Sequence, residues 1–307
     1  MTAEPASTAP GTTAPGIMIG LDIGGTKTHG LRFEDGKAVA DKITGSANIQ
    51  NVSRKAAQAS LAQLFEQIGY GPVDRVYVGA GGVDTKEDAV ELERLIAPFA
   101  PDAKVMVVHD SRLLLAAGGA GSGVAVIAGT GSAVWGRNRQ GIEARAGGWG
   151  YLLGDEGSGY WLGREAVRHS LDMMNRGYAS DELTRALLAA CGVDHPNRLI
   201  ALFHSPDTGR QYWAKHAKLV VAAAETGHEA SQLMLEQAGQ DLARMTVLAL
   251  TLLGIPGPVI LGGGLGVNST RLQSAFRKAL ASSGIHDVRI VDQDPVYGTK
   301  QLADELG

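Results

Sequence analysis

The stretch Leu21-Asp22-Ile23-Gly24-Gly25-Thr26-Lys27-Thr28 decides the architecture. An apolar run over 17–22 breaks at two glycines, and a strand-like pattern resumes over 28–33. The spacing predicts a β-hairpin with a glycine tip. Such a turn presents backbone N–H groups on a concave surface, and the hydroxyls of Thr26 and Thr28 add donors. That set suits a phosphate. Asp22, at the strand end, is placed for a hydrated Mg²⁺, which takes carboxylate, water and phosphate oxygens. Lys27 either adds charge or points to solvent, and an ordinary hairpin turn is the alternative for the whole stretch.

The same design recurs further along. A strand over 123–128 runs into Gly129-Thr130-Gly131-Ser132, and 133–137 reads as the strand returning. Two such hairpins in duplicated halves are expected to face each other and grip a polyphosphate. Neither is a Walker loop, because Gly-Lys-Ser/Thr occurs nowhere.

Around the hairpins the pattern predicts a helix over 52–68, opened by Asn51 or Ser53, and a strand over 73–78. A helix follows over 86–99, then a buried strand over 104–108 that stops at His109-Asp110. Residues 159–254 are mainly helical. Strands at 259–261 and 288–291, a helix from about 269 and a closing helix over 296–306 complete the chain. The order of elements is duplicated, which indicates an α/β protein of two similar halves with a helical block inserted in the second.

Three further segments carry chemistry. Asp110 sits at the carboxyl end of a strand, where ligands of α/β folds lie, and is either a base for a substrate hydroxyl or a helix N-cap. In Gly147-Gly148-Trp149-Gly150-Tyr151-Leu152-Leu153-Gly154-Asp155-Glu156-Gly157-Ser158-Gly159, adjacent carboxylates flanked by glycines suit a polyol. Trp149 is a sugar-stacking face or core, and Asp155 and Glu156 either bind ligand or cap the next helix. Gly262-Gly263-Gly264-Leu265-Gly266 suggests a nucleotide bed or a plain turn. Val267 stands where a dinucleotide fingerprint wants glycine, so an oxidoreductase is disfavoured.

Composition limits the partners. Among 307 residues, 28 Lys and Arg oppose 32 Asp and Glu, a formal net charge of −4. This gives no electrostatic reason for a nucleic acid or acidic membrane. No run of apolar residues is long enough to span a bilayer, so no membrane association is expected. Cys191 is the only cysteine, which excludes an intramolecular disulfide and an all-cysteine metal site in one chain, and is compatible with a cytoplasmic location. The eight histidines show no metal-ligand spacing, and none is assigned to a metal. Residues 1–16, rich in Pro, Thr and Ala, read as a disordered tail.

Taken in order, Leu21 to Thr28, His109-Asp110-Ser111, Ala128-Gly-Thr-Gly-Ser132, the tryptophan–acidic segment and Leu261-Gly-Gly-Gly264 resemble the N-acetylglucosamine kinase branch of the sugar kinase–Hsp70–actin superfamily. This branch also holds the BadF/BadG/BcrA/BcrD-type ATPases that activate acyl-CoA reductases and dehydratases. The resemblance covers about residues 17–303. It implies two ribonuclease H-like (actin-like ATPase) domains around a nucleotide cleft, over 17–117 and 118–307, with the last helix (about 296–307) crossing back to the first.

By position, the resemblance assigns ATP contacts to Gly25, Thr26, Lys27, Thr130 and Gly131. It places Ala214, Gly263, Gly264, Leu265, Gly266 and Val267 along the adenosine, and Mg²⁺ at Asp22. Asp110 would be the base. Asn48, Ser132, Ala133, Gly148, Trp149, Gly150 and Asp155, with Asp110, would hold the sugar.

The implied activity is ATP-dependent phosphorylation of the 6-hydroxyl of an amino sugar, N-acetylglucosamine first and glucosamine second, by a homodimer. The alternatives are an ATPase activator of a partner enzyme and a non-catalytic sugar sensor. A single cysteine argues against the activator, whose iron–sulfur cluster needs two per chain. The absence of a cysteine-rich zinc motif separates the chain from the related bacterial glucokinases. His109 stands where relatives often carry asparagine.

Overall fold

The computed structural model describes residues 16–83 and 85–306. The tail expected over 1–16 falls, except for Gly16, outside the described residues. Contacts divide the chain into two units, Met1–Ala117 with Pro295–Gly307, and Gly118–Asp294.

The first unit opens with β1 (Ile17–Ile23), β2 (Lys27–Glu34) and β3 (Lys37–Gly45). It continues with α1 (Arg54–Ile68), β4 (Arg75–Ala80), α2 (Lys86–Ile96), β5 (Lys104–His109) and α3 (Asp110–Ala117). The sheet order is β3-β2-β1-β4-β5, with β1–β2 and β2–β3 antiparallel and β1–β4 and β4–β5 parallel. Alternation along β1 buries Ile19, Leu21 and Ile23 completely against Leu61, Leu64 and Phe65 of α1. Each such side chain contributes about 1.5–3 kcal/mol by leaving water. Ser53, not Asn51, caps α1 by accepting the Ala56 N–H.

The second unit repeats this plan. It holds β6 (Gly123–Ala128), β7 (Ser132–Arg137) and β8 (Glu143–Ala146), then α4 (Gly159–Asn175), α5 (Glu182–Cys191), α6 (Arg198–Phe203), α7 (Arg210–Ala214), α8 (Ala217–Glu225) and α9 (Glu229–Leu253). After this helical block come β9 (Val259–Gly262), α10 (Gly264–Asn268), α11 (Thr270–Ala281) and β10 (Val288–Ile290). The order β10-β9-β6-β7-β8 has the same parallel and antiparallel pairings as the first sheet. The core gathers Val124, Val126 and Val134 from the sheet and Leu242, Leu250, Leu272 and Phe276 from α9 and α11. The final helix, α12 (Gly298–Leu306), belongs to the first unit, where it packs on α3 and Thr299 sits against Gly20.

Three features depart from the expectation. Both third strands, β3 and β8, are additions. β3 is an exposed edge whose side chains do not alternate between core and solvent, and β8 has four residues, so neither left a periodic pattern. The strand over 104–108 is half-buried rather than buried, because β5 is the other edge of its sheet.

Candidate active site

The first unit contributes a hairpin, an amide and a carboxylate. Pairing of Asp22 with His29 and of Ile23 with Thr28 brings β1 and β2 to a turn closed by the Gly24 N–H to Lys27 carbonyl bond, 2.9 Å. Thr26 and Lys27 are exposed at its tip, and Asp22 is half-buried at its base. Thr28 differs from the expectation. It is fully buried, and its Oγ1 accepts the Ala47 N–H at 2.9 Å, so it braces the loop that carries Asn48. Ser46 donates to the Gly24 carbonyl at 2.8 Å and ties that loop to the hairpin.

Asn48 donates to the Gly81 carbonyl at 2.8 Å and accepts the Gln50 N–H at 2.9 Å. Asp110 opens α3 beside it. A Cβ at Gly81 would stand 3.1 Å from Asp110 Oδ2 and 3.5 Å from Asn48 Nδ2, so a side chain there would crowd both groups. The capping role considered for Asp110 is not the one seen. His109 Nδ1 accepts the Ser111 N–H at 3.3 Å and lies 3.0 Å from Asp110 Oδ1, a buried oxygen that makes no hydrogen bond among the described residues. A carboxylate at a strand end with spare acceptor capacity can take a proton.

The second unit holds the other hairpin. Ala128 pairs with Ser132, and the Gly129 N–H bonds the Gly131 carbonyl at 2.9 Å. The tip is fastened to the start of α4, because the Gly129 carbonyl accepts from Gly159 (2.7 Å) and the Thr130 carbonyl from Tyr160 (3.1 Å). Ser158 is the N-cap of α4, which releases Asp155 and Glu156 from that role. Asp155 turns back with φ +62° and is 2% exposed. Burial raises its pKa; Arg210 and the Ser132 N–H oppose this, and Glu156 adds to it. Arg210 Nη2 lies 2.9 Å from Asp155 Oδ2.

Beside this hairpin opens a cavity of about 560 Å³. Thr130, Ala214, Gly264 and Leu265 line it, with Lys215 and Lys218 supplying positive charge. The β6–β7 turn, the start of α4, α7, α8 and α10 thereby meet around one space. Its size lies within the usual range for a small ligand, roughly 300–1,000 Å³. Gly263, Gly266 and Val267 support it from behind: Gly263 lies against Ala128, Gly266 against Leu261, and the Val267 N–H bonds the Gly263 carbonyl at 2.9 Å.

The glycine-rich segment lies along β7. Ser132 Oγ donates to the Glu156 carbonyl at 2.7 Å, and Gly148 approaches Ala133 closely. The Gly154 N–H bonds the Gly150 carbonyl at 2.8 Å. Trp149 is not core: it is 60% exposed, with the Arg145 guanidinium 4.8 Å from its ring centre.

Arg210, Lys215 and Lys218 were absent from the sequence reading, since short helices with no motif carry them. Also unforeseen is a cluster away from these groups. His169 and His228 each lie at hydrogen-bond distance from Asp181 Oδ2, at 2.6 and 3.0 Å. His228 Nδ1 accepts the Ser231 N–H and caps α9, so its Nε2 carries the proton donated to Asp181. Asp181 Oδ1 caps α5 by accepting from Thr184 at 2.8 Å.

Known proteins share this sequence and architecture. The profile of the BadF/BadG/BcrA/BcrD ATPase family matches residues 19–298. An N-acetylmuramic acid/N-acetylglucosamine kinase of Clostridium acetobutylicum is 29% identical over 275 residues, spanning 86% of this chain and 90% of that protein. An N-acetyl-D-glucosamine kinase of Dictyostelium discoideum is 30% identical over 259 residues, 78% of this chain and 81% of its own. The crystal structure of a candidate N-acetylglucosamine kinase from Chromobacterium violaceum matches with a TM-score of 0.75 and 30% identity, over 95% of this chain and all of that one. The family resemblance drawn from the motifs is therefore borne out: the chain belongs to the BadF/BadG/BcrA/BcrD ATPase family.

Proposed function

We propose that the protein is an ATP-dependent sugar kinase that phosphorylates the 6-hydroxyl of an amino sugar, N-acetylglucosamine first and glucosamine second. The observation that carries this reading is the cavity beside the Gly129–Gly131 turn, where a hydroxyl-bearing hairpin, two lysines and a glycine turn surround a space of nucleotide size. The kinase names of two relatives that span most of the chain support it.

In the proposed reaction Asp110 accepts the proton of the 6-hydroxyl as that oxygen attacks the γ-phosphorus, and the bond to the ADP oxygen breaks. Backbone N–H groups of the hairpins at Thr26 and Thr130 offset charge on the phosphate oxygens. Asn48 and Asp155 hold sugar hydroxyls, and Trp149 offers an exposed ring face. Asp22, a half-buried carboxylate at the base of a hairpin, has the donor chemistry for Mg²⁺, which when bound neutralises phosphate charge.

ADP release is to be measured with glucose, glucosamine, N-acetylglucosamine, N-acetylmannosamine and N-acetylmuramic acid. N-acetylglucosamine should give the fastest turnover, with little ADP formed when sugar is omitted. Turnover that ignores sugar would replace the reading with an ATPase activator, and no turnover at all would leave a sensor.

A further inference from the structure

Arg210 is unlike the other arginines of the second unit. It is the first residue of α7, whose last residue, Ala214, lines the cavity. Its side chain is 35% exposed, but its guanidinium is not left to water alone. Instead Nη2 lies 2.9 Å from Asp155 Oδ2, over the tip of the β6–β7 hairpin. The fit at the tip is so close that a Cβ on Gly131 would collide with Nη2 and stand 2.6 Å from Asp155 Oδ2. One side chain therefore touches both the turn assigned to phosphate and the carboxylate assigned to sugar. Its Nε is buried and has no hydrogen-bond partner among the described residues, so a donor is held in reserve. A planar guanidinium with five N–H donors matches phosphate oxygens in pairs, and phosphate carries more charge than a single carboxylate.

We propose that Arg210 couples the two substrates: it holds Asp155 while the hairpin lacks a terminal phosphate, and turns to that phosphate when ATP binds, freeing Asp155 for a sugar hydroxyl. This rests on the kinase reading above and adds to it a positioning residue. An ion pair buried on one side suits such an exchange. Asp155 is costly to leave unpaired, so it keeps Arg210 until another acceptor draws the arginine off and a hydroxyl donor replaces it. Linkage then requires reciprocity: nucleotide tightens sugar binding by the same factor as sugar tightens nucleotide binding.

The test is a calorimetric titration of N-acetylglucosamine into the full chain in three states: alone, with ADP, and with the non-hydrolysable analogue AMP-PNP. The wild type should bind sugar on the order of tenfold more tightly with AMP-PNP than alone, and gain little from ADP, which lacks the terminal phosphate. In Arg210→Gln the AMP-PNP factor should fall to about one. Arg210→Lys keeps a charge for Asp155 without the planar fork, and should fold while retaining at most a third of the factor; it decides the matter if the glutamine variant unfolds. A residue that only supported the fold would weaken binding in all three states alike and leave the ratio unchanged. An unchanged ratio, or equal tightening by ADP and AMP-PNP, overturns the coupling while the kinase reading stands. Failure of the wild type to bind the sugar in any state overturns both.

Discussion

His109 places its Nδ1 3.3 Å from the N–H of Ser111 and 3.0 Å from the buried Oδ1 of Asp110, an oxygen that makes no hydrogen bond among the described residues. The histidine does for α3 what an aspartate at this boundary ordinarily does. A reason thus emerges for an imidazole before the acid: it takes over the cap and leaves the acid's acceptor capacity for a substrate.

If Asp110 is the base, Asp110→Asn should lower kcat on the order of 10²–10⁴-fold with modest change in either KM. The measurement is steady-state ADP release with the melting temperature recorded in parallel. Retention of wild-type kcat would reduce Asp110 to a structural residue.

Burial holds the Asp155 carboxyl above the ordinary carboxylate range, against the pull of Arg210 and the Ser132 N–H. Only the ionised form accepts hydroxyl donors at both oxygens, so sugar affinity is present above the folded pKa and lost as pH falls through it. The KM for sugar should therefore climb on acidification in the wild type, beginning above the ordinary carboxylate range. In Asp155→Asn it should be high at every pH and nearly flat.

Ala214 forms part of the wall of the 560 Å³ cavity. Ala214→Leu should raise the KM for ATP roughly tenfold, a scale typical of a few misfitted methylene groups, and leave the KM for sugar close to wild type. Equal loss for both substrates would mean that the cavity is not the nucleotide's.

Asp181 offers a prediction about stability alone. Burial would raise its pKa, but hydrogen bonds from His169, from Thr184 and from His228 outweigh burial and hold it well below the usual range. A depressed carboxyl contributes stability above its unfolded pKa of about 3.9, and that contribution is lost as pH falls further, toward the folded value. Urea unfolding between pH 7 and pH 2.5 should show the wild type losing more stability below pH 4 than Asp181→Asn. At pH 7 the variant should be less stable by about 1 kcal/mol or more, because asparagine keeps the cap through Oδ1 but its amide nitrogen cannot accept from the two imidazoles. Parallel pH profiles would mean that the two imidazoles do not act through this acid.

The central strands were legible because each hairpin couples an apolar run to a glycine tip, and a run that ends on glycine marks both the strand and its turn. β3 was not, because an exposed edge strand has no buried face to impose a period of two. Trp149 misleads for the opposite reason. Its apolar neighbours Leu152 and Leu153 suggest a core, yet they are 78% and 82% exposed, since the glycines around them hold the segment as a surface loop. Ser158 shows how close alternatives are resolved: three candidate caps stand within four residues, and only backbone geometry selects one. Arg210 lay beyond reach because its partners, Gly131 and Asp155, are brought to it by three-dimensional packing and by no local pattern.

The placement of α12 has a consequence for how the chain matures. Leu302 and Ala303 pack with Tyr77 and Leu113, and Thr299 seats against a glycine of the very first strand. The sheet of the first unit is synthesised before residues 298–306, and part of the face that α3 also covers stays open until they have left the ribosome. A nascent chain halted before residue 298 would display that surface to chaperones and proteases.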